Sequence, residues 1–284
     1  MTAPVEEFVI TTGVHQIPHD VYKATPALSF SGARKLLPPY APAIYRWEME
    51  NPVHTDAFDL GLAAHAVVLA DGAPIVVVEA DGWRTNAAKQ ARQEAYEAGA
   101  IPLLATDHDL VQAMAAAVRA HPLASKLLAP DSGKAEQSLF WQDKETGVWC
   151  RCRADWLRHK IEGRRLIVVD FKTAASAHPE KFSKSAMDYG YAMQASWYMD
   201  GVRAVGLDDD PAFVFVIVEK KPPHLVSVVE LDKPSLSVGM NLNRIARFIY
   251  RDCIQSDQWP GYSPEVEMVS LPAWYLRQHD EEPL

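Results

Sequence analysis

The chain has 284 residues, 48% of them hydrophobic and 23% charged, with a formal net charge of −9. These values point to one large globular domain rather than two, and they exclude a disordered chain or a generally basic nucleic-acid coat; a local basic groove on an acidic surface remains compatible. Three cysteines (Cys150, Cys152 and Cys253) supply no disulfide framework, and the absence of a signal peptide or an apolar run near 20 residues leads to the expectation of a soluble, cytoplasmic protein with no membrane partner.

Residues 1–27 read as an irregular N-terminal segment, 28–250 as the core and 251–284 as a C-terminal tail, together forming one domain. Over 29–37 the sequence starts a helix with Ser31 as N-cap, which Pro38-Pro39 ends early. A helix over 57–69 carries His65 in a small, apolar stretch. Next come a short strand over 76–78, helices over 84–98 and 107–120, and a short helix from Pro122 to Leu128. The centre of the chain is a meander with strands near 136–142, 148–157 and 166–172. One long helix spans 179–202, followed by strands over 212–219 and 224–231 and a helix over 234–251. The tail over 259–284 contains Pro and Trp and is expected to wrap the surface or a neighbouring subunit.

The chemical signal lies in the meander. With a turn centred on Glu162-Gly163, residues whose numbers sum to 325 face each other, so Asp155 lies opposite Asp170. Opposed side chains sit about 4.5–5.5 Å apart at Cβ, where like charges repel, and a divalent cation is the obvious compensation. Period-two alternation puts Asp170 and Lys172 on one face. In the same register Arg153 opposes Lys172, as a phosphate-facing cation or as a salt-bridge partner of the carboxylates, and Arg151 shares its face. An Asp-x-Lys triplet alone is common. Glu219-Lys220-Lys221 is such a decoy, with no facing carboxylate and with Pro222-Pro223 directly after it. On the long helix Tyr191, Gln194 and Tyr198, spaced i, i+3 and i+7, share one face. Two carboxylates and an ammonium on one patch suit a metal-dependent phosphodiesterase. Cys150 and Cys152 point together into the core as free thiols.

The ordered set of Asp155, Asp170-Phe171-Lys172 and Gln194-Ala195-Ser196-Trp197-Tyr198 resembles the PD-(D/E)xK nuclease superfamily, and within it the RecE-like (exodeoxyribonuclease VIII-type) exonucleases, with RecB-type and lambda-type exonucleases as cousins. Gly61-Leu62-Ala63-Ala64-His65 resembles their Gly-xxx-His helix, and the run from Lys134 to Trp141 their glutamate-bearing strand. The likeness covers roughly 28–250. It implies an α/β restriction-endonuclease-like core, a central mixed sheet flanked by helices, with the active site at one sheet edge. It further implies Mg²⁺, or Mn²⁺, held by Asp155, Asp170, the Phe171 carbonyl and His65. Lys172 would position or activate the attacking water, acting through its charge before acting as a base. Glu136 would contact a second metal or brace the site, and Gln194 and Tyr198 would orient Lys172 or touch the scissile phosphate.

For DNA, Arg34 near a helix N-terminus would receive a terminal 5′ phosphate, and Arg84, Lys89 and Arg92, with Arg153 beside the site, would follow the backbone. The implied activity is exonucleolytic digestion of double-stranded DNA ends, 5′ to 3′, in recombination. The implied setting is a phage or prophage gene expressed in a bacterial cytoplasm, a ring-shaped homo-oligomer and a single-strand annealing partner. Three cysteines do not make the four-cysteine iron–sulfur site of some RecB-like relatives. Two alternatives remain: a superfamily nuclease acting on single strands or flaps, and a non-catalytic DNA-end-binding module, which the intact Asp155, Asp170 and Lys172 disfavour. A zinc hydrolase lacks the required Cys/His spacing.

Overall fold

Apolar strand runs at the centre of the chain need both faces covered, and the computed structural model of the chain, which describes residues 8–51 and 56–280, meets that need with helices on each side of one sheet. Residues 1–7 and 281–284, the outer ends of the expected N-terminal segment and tail, lie outside the described residues. The chain begins with β1 (Gly13–His15), α1 (His19–Ala24), β2 (Leu28–Ser29), α2 (Phe30–Lys35), α3 (Pro42–Glu50) and α4 (Asp56–Leu69). It continues through β3 (Ile75–Val78), α5 (Asn86–Glu97), β4 (Ile101–Leu104), α6 (Ala105–Ala120) and α7 (Ala124–Leu127). The meander is β5 (Gly133–Gln142), β6 (Trp149–Arg158) and β7 (Ile167–Ala174). After it come α8 (Pro179–Tyr189), α9 (Tyr191–Ala204), β8 (Ala212–Glu219), β9 (Val226–Glu230), α10 (Lys233–Ser256) and α11 (Ala273–Asp280).

The main sheet has the order β1-β5-β6-β7-β8-β9, with β2 added beside β6. β7 and β8 run parallel, joined by the crossover through α8 and α9, and β2 runs parallel to β6. The remaining neighbours are antiparallel, so the sheet is mixed. β3 and β4 form a separate parallel pair. On β8 the alternation is clean: Phe213, Phe215 and Ile217 enter one core with residues of α9, and Val214, Val216 and Val218 enter another with residues of α4 and α6. The expected α/β architecture, a central mixed sheet flanked by helices, is the one present.

Several expectations need correction. The N-terminal segment is not irregular throughout, because β1 pairs with β5 and α1 follows it. Arg151 donates to the carbonyls of Tyr22, Lys23 (3.1 Å) and Thr25 (2.5 Å), satisfying the C-terminal carbonyls of α1 that a six-residue helix leaves open. Ser29, not Ser31, caps α2, accepting the Gly32 N–H at 3.2 Å. The long helix over 179–202 is two helices, broken at Gly190, whose φ of +70° is left-handed. Tail residue Trp259 stacks on Tyr45 at 5.7 Å between ring centroids, and residues 261–278 are exposed. No helix among the described residues is long and apolar enough to cross a membrane.

α9 is fastened from both sides. Trp197 Nε1 donates to the Arg151 carbonyl of β6 at 2.9 Å. From α10, Asn243 Nδ2 donates to the Met193 carbonyl and to Ser196 Oγ, each at 2.9 Å. One turn earlier a Cβ at Gly239 would lie 2.1 Å from the Ala192 carbonyl oxygen, so only glycine permits this approach of the two helices. The helix that carries Gln194 is thereby fixed over the sheet.

Candidate active site

β6 and β7 pair at two positions, Trp156↔Val169 and Leu157↔Val168, in the register whose numbers sum to 325. One step further on, at Asp155 and Asp170, the two strands have parted. β6 turns to β2 (Leu28↔Cys150, Ser29↔Arg151), while β7 continues along β8 through Ala174. Asp155 Oδ2 accepts the Phe171 N–H at 2.8 Å in the gap where the ladder ends. β5 and β6 exchange faces at the same level: Ala135 and Trp156 lie in the core under α4 and α6, whereas Leu139, Cys152 and Ala154 lie in the core under α9. Glu136 stands at this switch with φ +52°, a left-handed conformation that glutamate rarely adopts. The parting of the strands and the twist of the hairpin open a polar notch in an otherwise apolar sheet.

Three side chains meet there. His65 from α4, Glu136 from β5 and Asp155 from β6 each offer a ligand atom, and these atoms lie within 4.8 Å of one another. His65 Nδ1 is 3.6 Å from Asp155 Oδ2. Burial, and then the Lys172 charge, lower the His65 pKa, which favours the neutral imidazole a metal requires. Asp170, with 2% of its surface exposed, points at Lys172 and Gln194 instead. Its Oδ1 accepts from Gln194 Nε2 at 2.5 Å. Its Oδ2 forms an ion pair with Lys172 Nζ at 2.7 Å, but not along a hydrogen-bond direction, so that buried oxygen lacks an aligned donor.

Burial, and then the facing charge of Asp170, push the Asp155 pKa well above the usual carboxylate range. For Lys172 burial acts to lower the pKa, but Asp170 and Asp155 outweigh it and the net direction is up, so the ammonium persists. Glu136, Asp155 and Asp170 thus face two cations, Lys172 and Arg153, the latter 2.5 Å from Glu136 Oε2 through Nε. An excess of carboxylate and a neutral imidazole form a donor set suited to Mg²⁺ or Mn²⁺.

The expected ligands are thus partly regrouped. His65 and Asp155 lie together, the third clustered group is Glu136, and Asp170 stands alongside with Lys172. The Phe171 ring lies edge-on to the imidazole at 5.2 Å, and the Phe171 N–H donates to Asp155. Gln194 orients Asp170, not Lys172, because the break at Gly190 sets the phase of α9. Tyr198 packs edge-on against Phe213 at 5.3 Å, and burial raises its phenol pKa. The aromatic ring that meets Lys172 is that of Tyr191, with Nζ 5.4 Å from its centroid. The i, i+3 spacing to Gln194 was the signal for it.

The DNA-contact candidates divide. Arg153 does not oppose Lys172: it pairs with Glu136 and donates to the Ile17 carbonyl at 3.0 Å, which matches its salt-bridge reading. Arg34 sits in the last turn of α2, so no helix N-terminus supports it; Nη2 donates to the Asp188 carbonyl at 2.6 Å. Arg84 lies before α5, whose N-cap is Thr85, and Lys89 is exposed on that helix. Arg92 is held structurally by Tyr96 and Asp59.

Removing the carboxamide that holds Asp170 tests the geometry. Gln194→Ala is expected to lower turnover about 10–100-fold, as loss of an outer-shell partner does, while folding persists. A Gln194→Glu variant would repel Asp170 and fall further. Steady-state rates with and without excess metal check this, since rescue by metal would assign Gln194 to ligand affinity.

A family model described as a PDDEXK-like domain of unknown function (DUF3799) matches residues 43–272, a span that contains His65, Glu136, Asp155, Asp170, Lys172 and Gln194. A crystal structure described as a "Putative exonuclease" from Eubacterium rectale superposes with a TM-score of 0.58 at 11% identity, covering 94% of this chain and 100% of that one. At that identity the likeness is one of fold. The crystal structure of SSO0001 shares 14% identity over 85% of this chain and 79% of its own, with a TM-score of 0.37. No curated protein matches the chain.

Proposed function

The chain belongs to the PDDEXK-like domain family DUF3799, and from that membership we propose that it is a divalent-metal-dependent deoxyribonuclease, an exonuclease that hydrolyses double-stranded DNA ends from 5′ to 3′ in recombination. The observation that carries the chemistry is the meeting of His65, Glu136 and Asp155 within 4.8 Å, beside the Asp170–Lys172 pair, at the point where β6 and β7 part.

His65, Glu136 and Asp155 would hold Mg²⁺ or Mn²⁺, with Asp170 adjoining. The ion, when bound, neutralises the phosphate and lowers the pKa of a coordinated water. The chain's own groups do the rest. Lys172, kept protonated by Asp170 and Asp155, presents a fixed positive charge to the phosphate and to the departing oxygen. Tyr191 and Asp170 hold that ammonium in place, and Gln194 holds Asp170. The Phe171 ring packs edge-on against the His65 imidazole and helps to fix its orientation.

The finer reading is supported by the RecE-like order of Asp155, Asp170-Phe171-Lys172 and Gln194 to Tyr198. The 5′ to 3′ polarity, the phage or prophage setting in a bacterial cytoplasm, the homo-oligomeric ring and the single-strand annealing partner come from that resemblance and from no residue of the chain itself.

A linear duplex labelled at either the 5′ or the 3′ end, incubated with Mg²⁺, Mn²⁺ or EDTA, tests the reading. Metal-dependent release of 5′ label as mononucleotide is the expected result. Cleavage confined to single strands or flaps would transfer the chain to that class of nuclease. DNA binding without cleavage of any end would make it an end-binding module.

A further inference from the structure

An aromatic path leads out of the catalytic notch. The Lys172 ammonium lies over the Tyr191 ring at 5.4 Å, and Tyr191 stacks with Tyr189 at 5.7 Å between centroids and 29° between planes. Tyr189 is 57% exposed. On an uninterrupted helix, residues two apart point to nearly opposite sides. The left-handed turn at Gly190, between the end of α8 and the start of α9, brings these two rings face to face. The same glycine lies against Arg34, since a Cβ there would sit 3.0 Å from Arg34 Cδ. The Arg34 guanidinium donates to the Asp188 carbonyl and lies 5.2 Å from the Tyr40 ring centroid, and no carboxylate pairs with it among the described residues. An exposed flat ring, a second ring behind it and an uncompensated guanidinium therefore share one corner, and each step from Lys172 to Tyr189 is under 6 Å.

We propose that Tyr189, backed by Tyr191 and flanked by Arg34, is a stacking platform for an unpaired nucleobase of the substrate strand, with Arg34 taking the adjoining phosphate. This rests on the nuclease reading of the neighbouring site and adds to it a preference: the strand is engaged after its terminal bases have separated. Stacking on an aromatic face is indifferent to base identity, as an enzyme that digests any sequence requires. Arg34 supplies a planar donor and a charge for the backbone. Phe182, which stacks on Tyr191 at 5.5 Å, keeps the supporting ring from turning.

The test uses the full chain in EDTA and a duplex with a short overhang carrying 2-aminopurine, whose fluorescence is quenched when the base stacks. Wild type and Tyr189→Phe are expected to quench the probe and bind alike. Tyr189→Ala should abolish quenching and weaken binding of the overhang about tenfold or more. Gly190→Ala, strained at its positive φ and crowding Arg34, should lose quenching with both rings still present. Equal quenching by wild type and Tyr189→Ala would overturn the platform, as would loss of quenching in Tyr189→Phe, which would point to the hydroxyl instead. Wild type that quenches the probe but cleaves no end in Mg²⁺ or Mn²⁺ would overturn the nuclease reading and leave the platform standing. Cleavage by wild type without quenching would do the reverse.

Discussion

Lys172→Ala is expected to lower the rate of DNA hydrolysis at saturating metal by about a hundredfold to a thousandfold or more, the scale seen when one preorganised charge-stabilising group is removed. The ammonium is the positive group set between Asp170, at 2.7 Å, and the Tyr191 ring. Lys172→Arg should not restore the rate, because a planar fork cannot occupy a pocket shaped for a compact charge under an aromatic face. Lys172→Ala also leaves two buried carboxylates without their partner, and breaking such a pair costs about 3–5 kcal/mol. Folding is therefore checked alongside by thermal unfolding, and Lys172→Met, which keeps the apolar stem, separates lost charge from lost packing. The decoy supplies the control. Glu219 at the end of β8 accepts the Ala177 N–H at 2.9 Å, a structural task, so Lys221→Ala should leave the rate unchanged. Initial rates on a 5′-labelled duplex measure all four variants, and undiminished cleavage by Lys172→Ala would place the active site elsewhere.

The parts of this site that were legible in the sequence are those set by local rules. A hairpin centred on Glu162-Gly163 fixes its register by symmetry, and Trp156↔Val169 and Leu157↔Val168 follow it. Period two then puts Asp170 and Lys172 together. The β8 run and the helices with strong caps follow from the same kind of pattern. The illegible parts depend on contacts distant in sequence. β1 is three residues long and exists because β5 offers it an edge, and β2 has two residues beside β6. Glu136 is singled out in the sequence only through the family resemblance, as a second-metal contact or a brace; its left-handed backbone, at the level where β5 and β6 change faces, and its place beside His65 are not legible there. Gly190 reads as a tolerated glycine inside an amphipathic run, because helix propensity penalises a single glycine by only about 1 kcal/mol. Its break resets the phase of every residue after it, which is why Gln194 meets Asp170 rather than Lys172.

Asp155→Asn is expected to abolish hydrolysis and, without metal, to make the protein more stable, a combination that separates a functional carboxylate from a structural one. Burial and the Asp170 charge raise the Asp155 pKa in the folded state, so the fold favours the neutral acid. The unfolded group titrates near 3.9. Stability held below that pH is therefore lost as pH rises toward and through the raised folded-state value. An amide carries no charge, keeps an oxygen to accept the Phe171 N–H, and escapes that loss. The gap in Tm between Asp155→Asn and wild type, measured in EDTA, should thus widen in favour of the variant from pH 4 toward neutrality, by a few °C per kcal/mol in a chain of this size. Metal should reverse the order. A ligand that binds only the folded state stabilises it by about 2.7 kcal/mol at a hundred times its Kd, and wild type should gain this in Mn²⁺ while Asp155→Asn gains little. If the variant were less stable at every pH in EDTA, Asp155 would be a structural acceptor for β7. If it still gained full stabilisation from Mn²⁺, the ion would be held without it. The expected crossing of the two stability curves on adding metal follows from a carboxylate that the fold tolerates poorly on its own and that a bound cation would satisfy.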